Sequence, residues 1–524
     1  MKWLLLLLCL ILLAPLGMVD VPPLLDYPNH LARAVVLAAD GNDPVLARMY
    51  AARWGIIPNL ATDLLLPPLL QVLPVHVAGR IVVALVMLLP VIGIVAYSRA
   101  IFRVSAAWPL ASALVAYNAT FLLGFLNFII GIGVALLLAA AWITWRERHP
   151  RLVVMLAVAG TVVLFFCHLM GLLFFFLLVA GYEFEHLWLH RARLKLTTVR
   201  LAAAVPLILP PLGLYLLSPL APVIEKTEYV SIADKFRQLA FPFANYVLPL
   251  DIATACAVAA FLLVCLATRR CRVTLGSGVT LVLTAMLFFA APFAFKGTYL
   301  LDTRFVIMLG FLLFGALLPT GLPKSAARTA FAAFTLLFAV RMAVVVVAWQ
   351  GHRQDLIALR AAIAPVEPGA RVLAVSVIPE DAPEYWQNAP LSRRLSFGDQ
   401  LDHHLPALLL IERRAYWPFL FDNPSQQPVE TLPPYQRLAQ RADSFVGHHA
   451  LREPGNVELC GYDYLLLLDA GGEPDVANFA ADRLRPLTHT DIAALYRIRP
   501  EACPSLKLVV CAGADCRPVH RDPP

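Results

Sequence analysis

Ionisable side chains collect in the segment after the first apolar stretch, residues 20–75. Asp26 lies in the run LLDYPNHLAR, together with His30 and Arg33. A carboxylate held at a membrane boundary can take the proton of a hydroxyl group presented there, which is general base catalysis. Pro28 is expected to open a short helix along the membrane surface, with Arg33 on its polar side. The alternative left open is that Asp26 caps this helix, since Asp is favoured at that position.

A second polar pair precedes the next long apolar stretch. Asn59 and Asp63 stand four residues apart in RWGIIPNLATDLLLPPLL. On a helix they would share one face. A turn or capping role is the alternative for Asn59, whereas Asp63 stands among leucines and needs a partner or a wet cavity. We expect Asp63 or His30 to orient Asp26.

Basic residues suited to phosphate binding lie in the short loop FKGTYLLDTRF. Arg304 can bind a phosphate in bidentate fashion, and Lys296 can act as a point charge. A contact between Asp302 and Arg304, or anchoring at the membrane interface, is the alternative. His168, at a turn between two apolar stretches, is a further candidate for substrate binding, although a lone His in apolar surroundings is more often structural.

The composition identifies the environment in which these residues work. The 524 residues are 60% hydrophobic and 15% charged, with a mean hydropathy of +0.72, far from the balance of soluble globular chains. A soluble, disordered or nucleic-acid-binding protein is therefore excluded. Eleven stretches are long and apolar enough for spanning helices, the first retained rather than cleaved as a signal peptide. They lie near 3–19, 76–98, 106–122, 125–145, 152–168, 170–189, 201–218, 251–268, 274–294, 305–320 and 329–349.

Basic residues predict the orientation and the division of the chain. They concentrate in alternate short loops, which places the N-terminus in the cytoplasm. An odd number of spans then places residues 350–524 outside, so we expect a membrane module over 1–349, with the exterior loop 20–75, and an exterior domain over 350–524. The fourth exterior loop, near 219–250, carries several charges and reads as solvated.

Residues 350–524 have the composition of a soluble α/β domain. A helix is predicted over 352–363, followed by strands over 371–377, 407–411, 462–468 and 494–498. The four cysteines of this region allow three pairings, and disulfides are favoured over a metal site because no His stands at ligand spacing. These cysteines are Cys460, Cys503, Cys511 and Cys516.

Features that are absent from the sequence narrow the function. The span centres hold almost no ionisable residues, which argues against an ion-coupled transporter. Arg341 is the exception and should face protein or a cavity rather than lipid. No nucleotide-binding loop is present. Ionisable groups gather at the exterior membrane boundary instead, a pattern that suits chemistry on a lipid-linked substrate.

This layout resembles the GT-C superfamily of membrane glycosyltransferases. The first span, the exterior loop with an early acid in LLDYPNHLAR, the many further spans and the exterior C-terminal domain carry the resemblance. It implies a polytopic α-helical membrane protein of about eleven spans with an exterior α/β domain, in a bacterial inner membrane. It also implies that Asp26 is the base or acceptor-orienting group and that Lys296 and Arg304 hold a donor phosphate. Asp26 is followed by Tyr-Pro rather than by the second acid of the best-known branches.

The resulting hypothesis is an inverting transferase that moves a sugar from a polyprenyl monophosphate to an exterior glycan or lipid. A divalent cation, Mg²⁺ or Mn²⁺, could share the stabilisation of the leaving phosphate, although no ligand cluster demands one. The rival hypotheses are a carrier or flippase for a lipid-linked glycan and a scaffold protein. Asp26 should be essential in the transferase and replaceable in the scaffold.

Overall fold

A computed structural model describes residues 2–191, 194–376, 389–446, 459, 461–469, 483–499, 508–512 and 515–519. The chain forms two compact units. The first comprises Met1–Asp355, Pro383–Ala407 and Leu420–Leu432, and the second comprises Leu356–Ala382, Leu408–Phe419 and Pro433–Pro524. The sequence places one boundary between residues 349 and 350. The structure instead returns two later segments to the first unit, where one of them pairs with the loop 20–75.

The first unit is built mainly of helices. They are α1 (Lys2–Leu13), α2 (Tyr27–Ala39), α3 (Ala61–Leu70), α4 (Val75–Phe102), α5 (Ala119–Leu122), α6 (Leu126–Trp145), α7 (Pro150–Cys167), α8 (Leu169–Leu189), α9 (Leu194–Leu217), α10 (Ile232–Gln238), α11 (Leu248–Ala267), α12 (Leu275–Ala290), α13 (Leu301–Gly315) and α14 (Lys324–Ile363). Two short strand pairings also belong to this unit.

Seven helices among the described residues are long and apolar enough to cross a membrane: α4, α6, α7, α8, α9 over Thr198–Leu217, α11 and α14. Three more apolar helical segments are shorter: Lys2–Gly17, Ala61–Leu70 and α12. The protein is therefore a multi-pass membrane protein, while the number of eleven spans stays a prediction. The helix predicted over 352–363 is present as the last part of the 40-residue α14.

The third predicted span, 106–122, is not one continuous helix. A 3-10 helix covers Trp108–Val115 and ends before α5. The side chain of Asn118 causes this break, because it donates to the Val115 carbonyl and accepts from the Phe121 amide, which makes it the N-cap of α5. Apolar composition alone predicted the span, and a single buried asparagine overrides it.

Short strands hold parts of the first unit together. β1 (Tyr50–Ala52) pairs antiparallel with β5 (Val429–Thr431), and β2 (Cys271–Arg272) pairs antiparallel with β3 (Leu318–Pro319). The β1–β5 pairing attaches residues 420–432 to the loop 20–75. This pairing explains why a segment so late in the sequence belongs to the membrane-associated unit.

The second unit contains a four-stranded sheet. Its strands are β4 (Val372–Ser376), β6 (Tyr464–Leu468), β7 (Leu484–His489) and β8 (Ala493–Ile498), in the order β4-β6-β8-β7. β4 and β6 are parallel and the other pairs are antiparallel. Every residue of β6 is buried, as its continuous apolar sequence predicts. The strand β7 was not predicted, since its exposed residues give no clear alternation.

The prediction of a strand over 407–411 is wrong, because this segment is helical. A 3-10 helix, Leu405–Ala407, leads into α15 (Leu408–Arg413), and a later helix, α16 (Tyr435–Val446), follows. A short buried apolar run does not distinguish helix from strand by periodicity. Of the four cysteines, Cys460 and Cys503 lie outside the described residues. The hairpin of β9 (Leu508–Ala512) and β10 (Asp515–Val519) places Cys511 opposite Cys516 in its backbone register.

The predicted need of Arg341 for protein partners is confirmed. Its guanidinium lies 2.7 Å from the Asp251 carboxylate, 3.2 Å from the Thr254 hydroxyl and 2.5 Å from the Phe243 carbonyl oxygen. Both members of the ion pair are almost fully buried. A buried pair of this kind joins α14 to α11 and is costly to break from one side only.

Replacing Arg341 with Ala should therefore destabilise the protein strongly. The Asp251 carboxylate would stay buried without its cation, a change that typically costs about 3–5 kcal/mol. Unfolding in mixed micelles measures the loss. The control is Arg237→Ala, which removes an exposed arginine paired with Asp234 and should leave the unfolding midpoint unchanged. Equal effects of the two variants would contradict this assignment.

Candidate active site

Asp26 stands directly before α2 but does not cap it through its side chain. No capping hydrogen bond from this carboxylate is present, and Pro28 in the first turn opens the helix as expected. The Asp26 Oδ1 atom instead lies 3.1 Å from Nδ1 of His404, with the two side chains 17% and 13% exposed. The carboxylate is thus held in a sheltered place for something other than helix capping.

A tight turn over residues 122–125 holds the backbone at Asp26. The amide of Leu25 donates to the Leu122 carbonyl at 2.9 Å, and the amide of Asp26 donates to the Leu123 carbonyl at 3.2 Å. Gly124 adopts a φ of +84°, and a Cβ at this position would lie 2.6 Å from the Asp26 nitrogen. Only glycine allows this approach.

The same turn supports Arg304 through Phe125. The guanidinium lies 4.9 Å from the centroid of the Phe125 ring and 5.9 Å from that of Phe128. Its Nη1 donates to the Tyr299 carbonyl at 2.9 Å, and its Nε has no hydrogen-bond partner within the part of the chain that the structure describes. Arg304 is 6% exposed. The charges of Asp26 and Arg304 are close enough to interact.

Asp302 is engaged elsewhere. Its Oδ2 accepts a hydrogen bond from Lys235 Nζ at 2.7 Å, and Lys235 also donates to the Phe288 and Ala291 carbonyls. Asp302 therefore forms no ion pair with Arg304 among the described residues, although its charge acts on Arg304 at longer range. Lys235, expected in a solvated loop, is 3% exposed. The ion pair ties α10 to the first turn of α13.

Arg304 stands out when all buried basic residues of the described chain are compared. Six are buried, and five form an ion pair with a carboxylate. The pairs are Arg33–Asp63, Arg146–Glu183, Arg200–Glu183, Lys235–Asp302 and Arg341–Asp251. For Arg304 no carboxylate of the described residues lies within ion-pair distance. Arg304 is held by aromatic rings, one carbonyl and the charges of Asp302 and Asp26 at longer range. Its free Nε donor leaves capacity for an anion.

The predicted site residues Arg33, Asp63 and His30 come together, although not on the Asp26 carboxylate. Arg33 binds both oxygens of Asp63, at 2.5 and 2.9 Å, and both side chains are buried. Nη2 of Arg33 lies 3.0 Å from Nδ1 of His30. Asp63 thus has the partner that its apolar surroundings required.

His30 links this group to the turn beside Asp26. The ring is hydrogen-bonded to the backbone of Gly124. Burial, followed by the positive charge of Arg33, lowers the pKa of His30 well below its usual range. A neutral His30 can accept from Arg33 and donate to Gly124 at the same time. His30, Arg33 and Asp63 therefore support the turn rather than orient the Asp26 carboxylate directly.

Asn59 does not share a helix face with Asp63, which corrects the sequence-based expectation. It precedes α3 and has a φ of +68°. Its carbonyl accepts from the side-chain amide of Asn127, and Asn127 also accepts from the Thr62 amide at 2.8 Å. Asn59 is therefore part of a turn before α3, which is the alternative that the sequence had left open.

His168 and Lys296 have structural contacts in place. His168 is the N-cap of α8, accepting from the Met170 amide at 3.0 Å, and its ring meets Phe128 edge-on at 5.4 Å. Lys296 donates to three carbonyls, of Leu220, Ala221 and Val223, at 3.3, 2.6 and 2.9 Å. These contacts occupy the polar groups expected to bind substrate, although His168 shares Phe128 with Arg304.

Three important residues were not found from the sequence: His404, Gly124 and Asn127. His404 lies in the run DHHLP, far from Asp26 in sequence, and no local pattern identifies it.

The described residues contain no group of three His, Cys, Asp or Glu side chains that converge to hold a metal ion. A role for Mg²⁺ or Mn²⁺ stays a prediction.

Comparisons with known proteins agree with this architecture at the level of the fold. The chain shares its overall fold with a solved structure. It is similar to the crystal structure of ArnT from Cupriavidus metallidurans bound to undecaprenyl phosphate, with a TM-score of 0.52 and 13% identity, over 96% of this chain and 99% of that one. No family model matches the sequence, and no curated protein matches it. The predicted fold class is thereby confirmed.

The contact between Gly124 and Asp26 predicts that Gly124→Ala disturbs the site. The methyl group would meet the Asp26 backbone in a conformation that alanine rarely adopts, a strain of about 1–3 kcal/mol. Hydrogen exchange of residues 20–30 should become faster, and the thermal midpoint should fall. Gly213→Ala is the control, because no atom lies within 4 Å of a Cβ there. Unchanged exchange in Gly124→Ala would contradict the role of the turn.

Proposed function

We propose that the protein transfers a sugar from a polyprenyl monophosphate donor to a hydroxyl group of a glycan or lipid, with inversion at the anomeric carbon. The observation that supports this most is the buried Arg304, which forms no ion pair with a carboxylate of the described residues and lies near Asp26. The shared fold with ArnT, whose crystal structure contains undecaprenyl phosphate, supports a lipid phosphate as the anion. The orientation predicted from the basic residues would open the site to the bacterial cell exterior.

Arg304 would bind the phosphate of the donor. Its guanidinium is fixed between aromatic rings and the Tyr299 carbonyl, so it needs little reorganisation when the anion arrives. As the bond from the anomeric carbon to the phosphate oxygen breaks, the phosphate gains negative charge. A preorganised cation in a site of low dielectric constant stabilises that charge more than water does. Lys296 could join only by exchanging its carbonyl partners for the phosphate.

Asp26 would promote attack by the acceptor. The acceptor oxygen forms its bond to the anomeric carbon on the face opposite the phosphate, and its proton leaves towards the Asp26 carboxylate. The electrons of the broken bond stay on the polyprenyl phosphate. This step needs no redox partner.

The direct test uses the product that all such donors share. Protein in lipid nanodiscs is incubated with a panel of undecaprenyl monophosphate sugars and a bacterial envelope extract as acceptor, and released undecaprenyl phosphate is measured by mass spectrometry. We expect release with at least one donor, dependent on the extract. Asp26→Asn should reduce it by about 10²–10⁴-fold, as for loss of a general base.

The matched control for that variant is Asp40→Asn, at the exposed C-terminal end of the same helix, which should behave as wild type. An active Asp26→Asn protein would remove Asp26 from the mechanism. If the wild type releases nothing from any donor yet binds them, the carrier hypothesis is favoured over the transferase.

Binding of undecaprenyl phosphate tests Arg304 separately from the chemistry. Loss of a charge-assisted hydrogen bond costs about 1.5–3 kcal/mol, so Arg304→Gln should bind the lipid at least about tenfold more weakly. Arg237→Gln, which replaces an exposed arginine, should bind normally. Equal affinities of the two variants would contradict the assignment of the phosphate site.

A further inference from the structure

His404 is held against Asp26 by its surroundings. Its Nδ1 lies 3.1 Å from Asp26 Oδ1, which is an ion-pair distance. This Nδ1 atom is buried and its contact with Asp26 does not have the geometry of a hydrogen bond. The ring keeps 13% of its surface exposed, so this exposed part belongs to its other atoms. Phe421 meets the ring edge-on at 5.1 Å, and the neighbouring His403 ring lies 5.2 Å away.

A carboxylate beside one nitrogen of an imidazole determines what the other nitrogen can do. It favours the tautomer with the proton on the near nitrogen, which leaves a lone pair on the far one. It also stabilises the imidazolium that forms when the far nitrogen takes up a proton. Contacts of this kind often align fully only when substrate is bound.

The other histidines near this pair do not compete for the proton. Burial and the charges of Arg33 and His404 lower the pKa of His30 well below its usual range, while burial followed by the His404 charge lowers the pKa of His403 to about 4. Both stay neutral near pH 7. The charged and titratable groups around His404 are thus Asp26, His30 with Arg33 behind it, and His403.

We propose that Asp26 and His404 form one general-base unit, in which Asp26 orients the ring through Nδ1 and His404 Nε2 receives the acceptor proton. This inference rests on the proposed sugar transfer and specifies where the proton goes. The acceptor O–H bond breaks as the oxygen bonds the anomeric carbon, Nε2 takes the proton, and the polyprenyl phosphate leaves with the bonding electrons. The imidazolium then releases its proton to water.

The pH dependence separates this arrangement from a carboxylate acting alone. An imidazole works as a base only when neutral, so the rate should fall as the pH drops through the range in which imidazoles titrate. An unassisted carboxylate would keep the rate high to much lower pH. The acidic limb of the pH–rate profile should therefore depend on His404.

The experiment measures undecaprenyl phosphate release in nanodiscs, from pH 5 to 9, with the donor that the wild type uses. For His404→Gln we expect a kcat about 10²–10³-fold lower, a donor KM within about threefold of the wild-type value because Arg304 is untouched, and loss of the acidic limb. His404→Ala should regain rate when imidazole is added. His149→Gln, an exposed histidine at the start of α7, is the control and should match the wild type.

Undecaprenyl phosphate binding verifies that each variant is folded, and His404→Asn replaces any variant that is not. The proposal is overturned if a folded His404 variant keeps wild-type kcat and the acidic limb while Asp26→Asn is inactive; sugar transfer by Asp26 alone would then stand. It is also overturned if kcat falls but the acidic limb remains, since His404 would then only position Asp26. A wild type without transfer refutes the proposed function itself.

Discussion

The close contact between the turn 122–125 and Asp26 is the constraint on which the candidate site depends. The turn binds the backbone at Leu25 and Asp26 on one side and presents Phe125 to Arg304 on the other. His30 also supports this turn, because it is hydrogen-bonded both to the Gly124 backbone and to Arg33 of the Arg33–Asp63 pair. The backbone at Asp26 and the guanidinium of Arg304 therefore both contact this one turn.

Charge pairing explains why one arginine differs from the rest. Burying a cation in apolar surroundings is unfavourable unless an acid or hydrogen bonds compensate for the lost water. Arg33, Lys235 and Arg341 each meet this requirement with an aspartate and join separate helices. Arg304 is also buried, yet no carboxylate pairs with it directly in the described structure, and it relies on aromatic faces, one carbonyl and more distant charges. Incomplete compensation of a buried charge is typical of a site that binds a ligand.

Hydropathy and local chemistry predicted much of this molecule. Long apolar runs predicted the spanning helices, Pro28 the start of α2, and the cost of burial the partners of Asp63 and Arg341. The break at Asn118 was missed because hydropathy does not register a local cap. The helix at 408–413 was missed because a short apolar run does not distinguish helix from strand. The place of His404 was not predictable, because it meets Asp26 only in the folded chain. Asp26 and Arg304, selected separately from the sequence, interact electrostatically, and their roles stay predictions. Lys296, Asn59 and His168 have structural contacts.

The proposed function requires that Asp26 and Arg304 face one lipid-phosphate site. The most direct measurement is a cryo-electron microscopy map of the protein in nanodiscs with undecaprenyl phosphate. We expect phosphate density in contact with the Arg304 guanidinium, in a cavity that also opens on Asp26 and His404. Phosphate density elsewhere, with the space between Asp26 and Arg304 filled by protein, would contradict it.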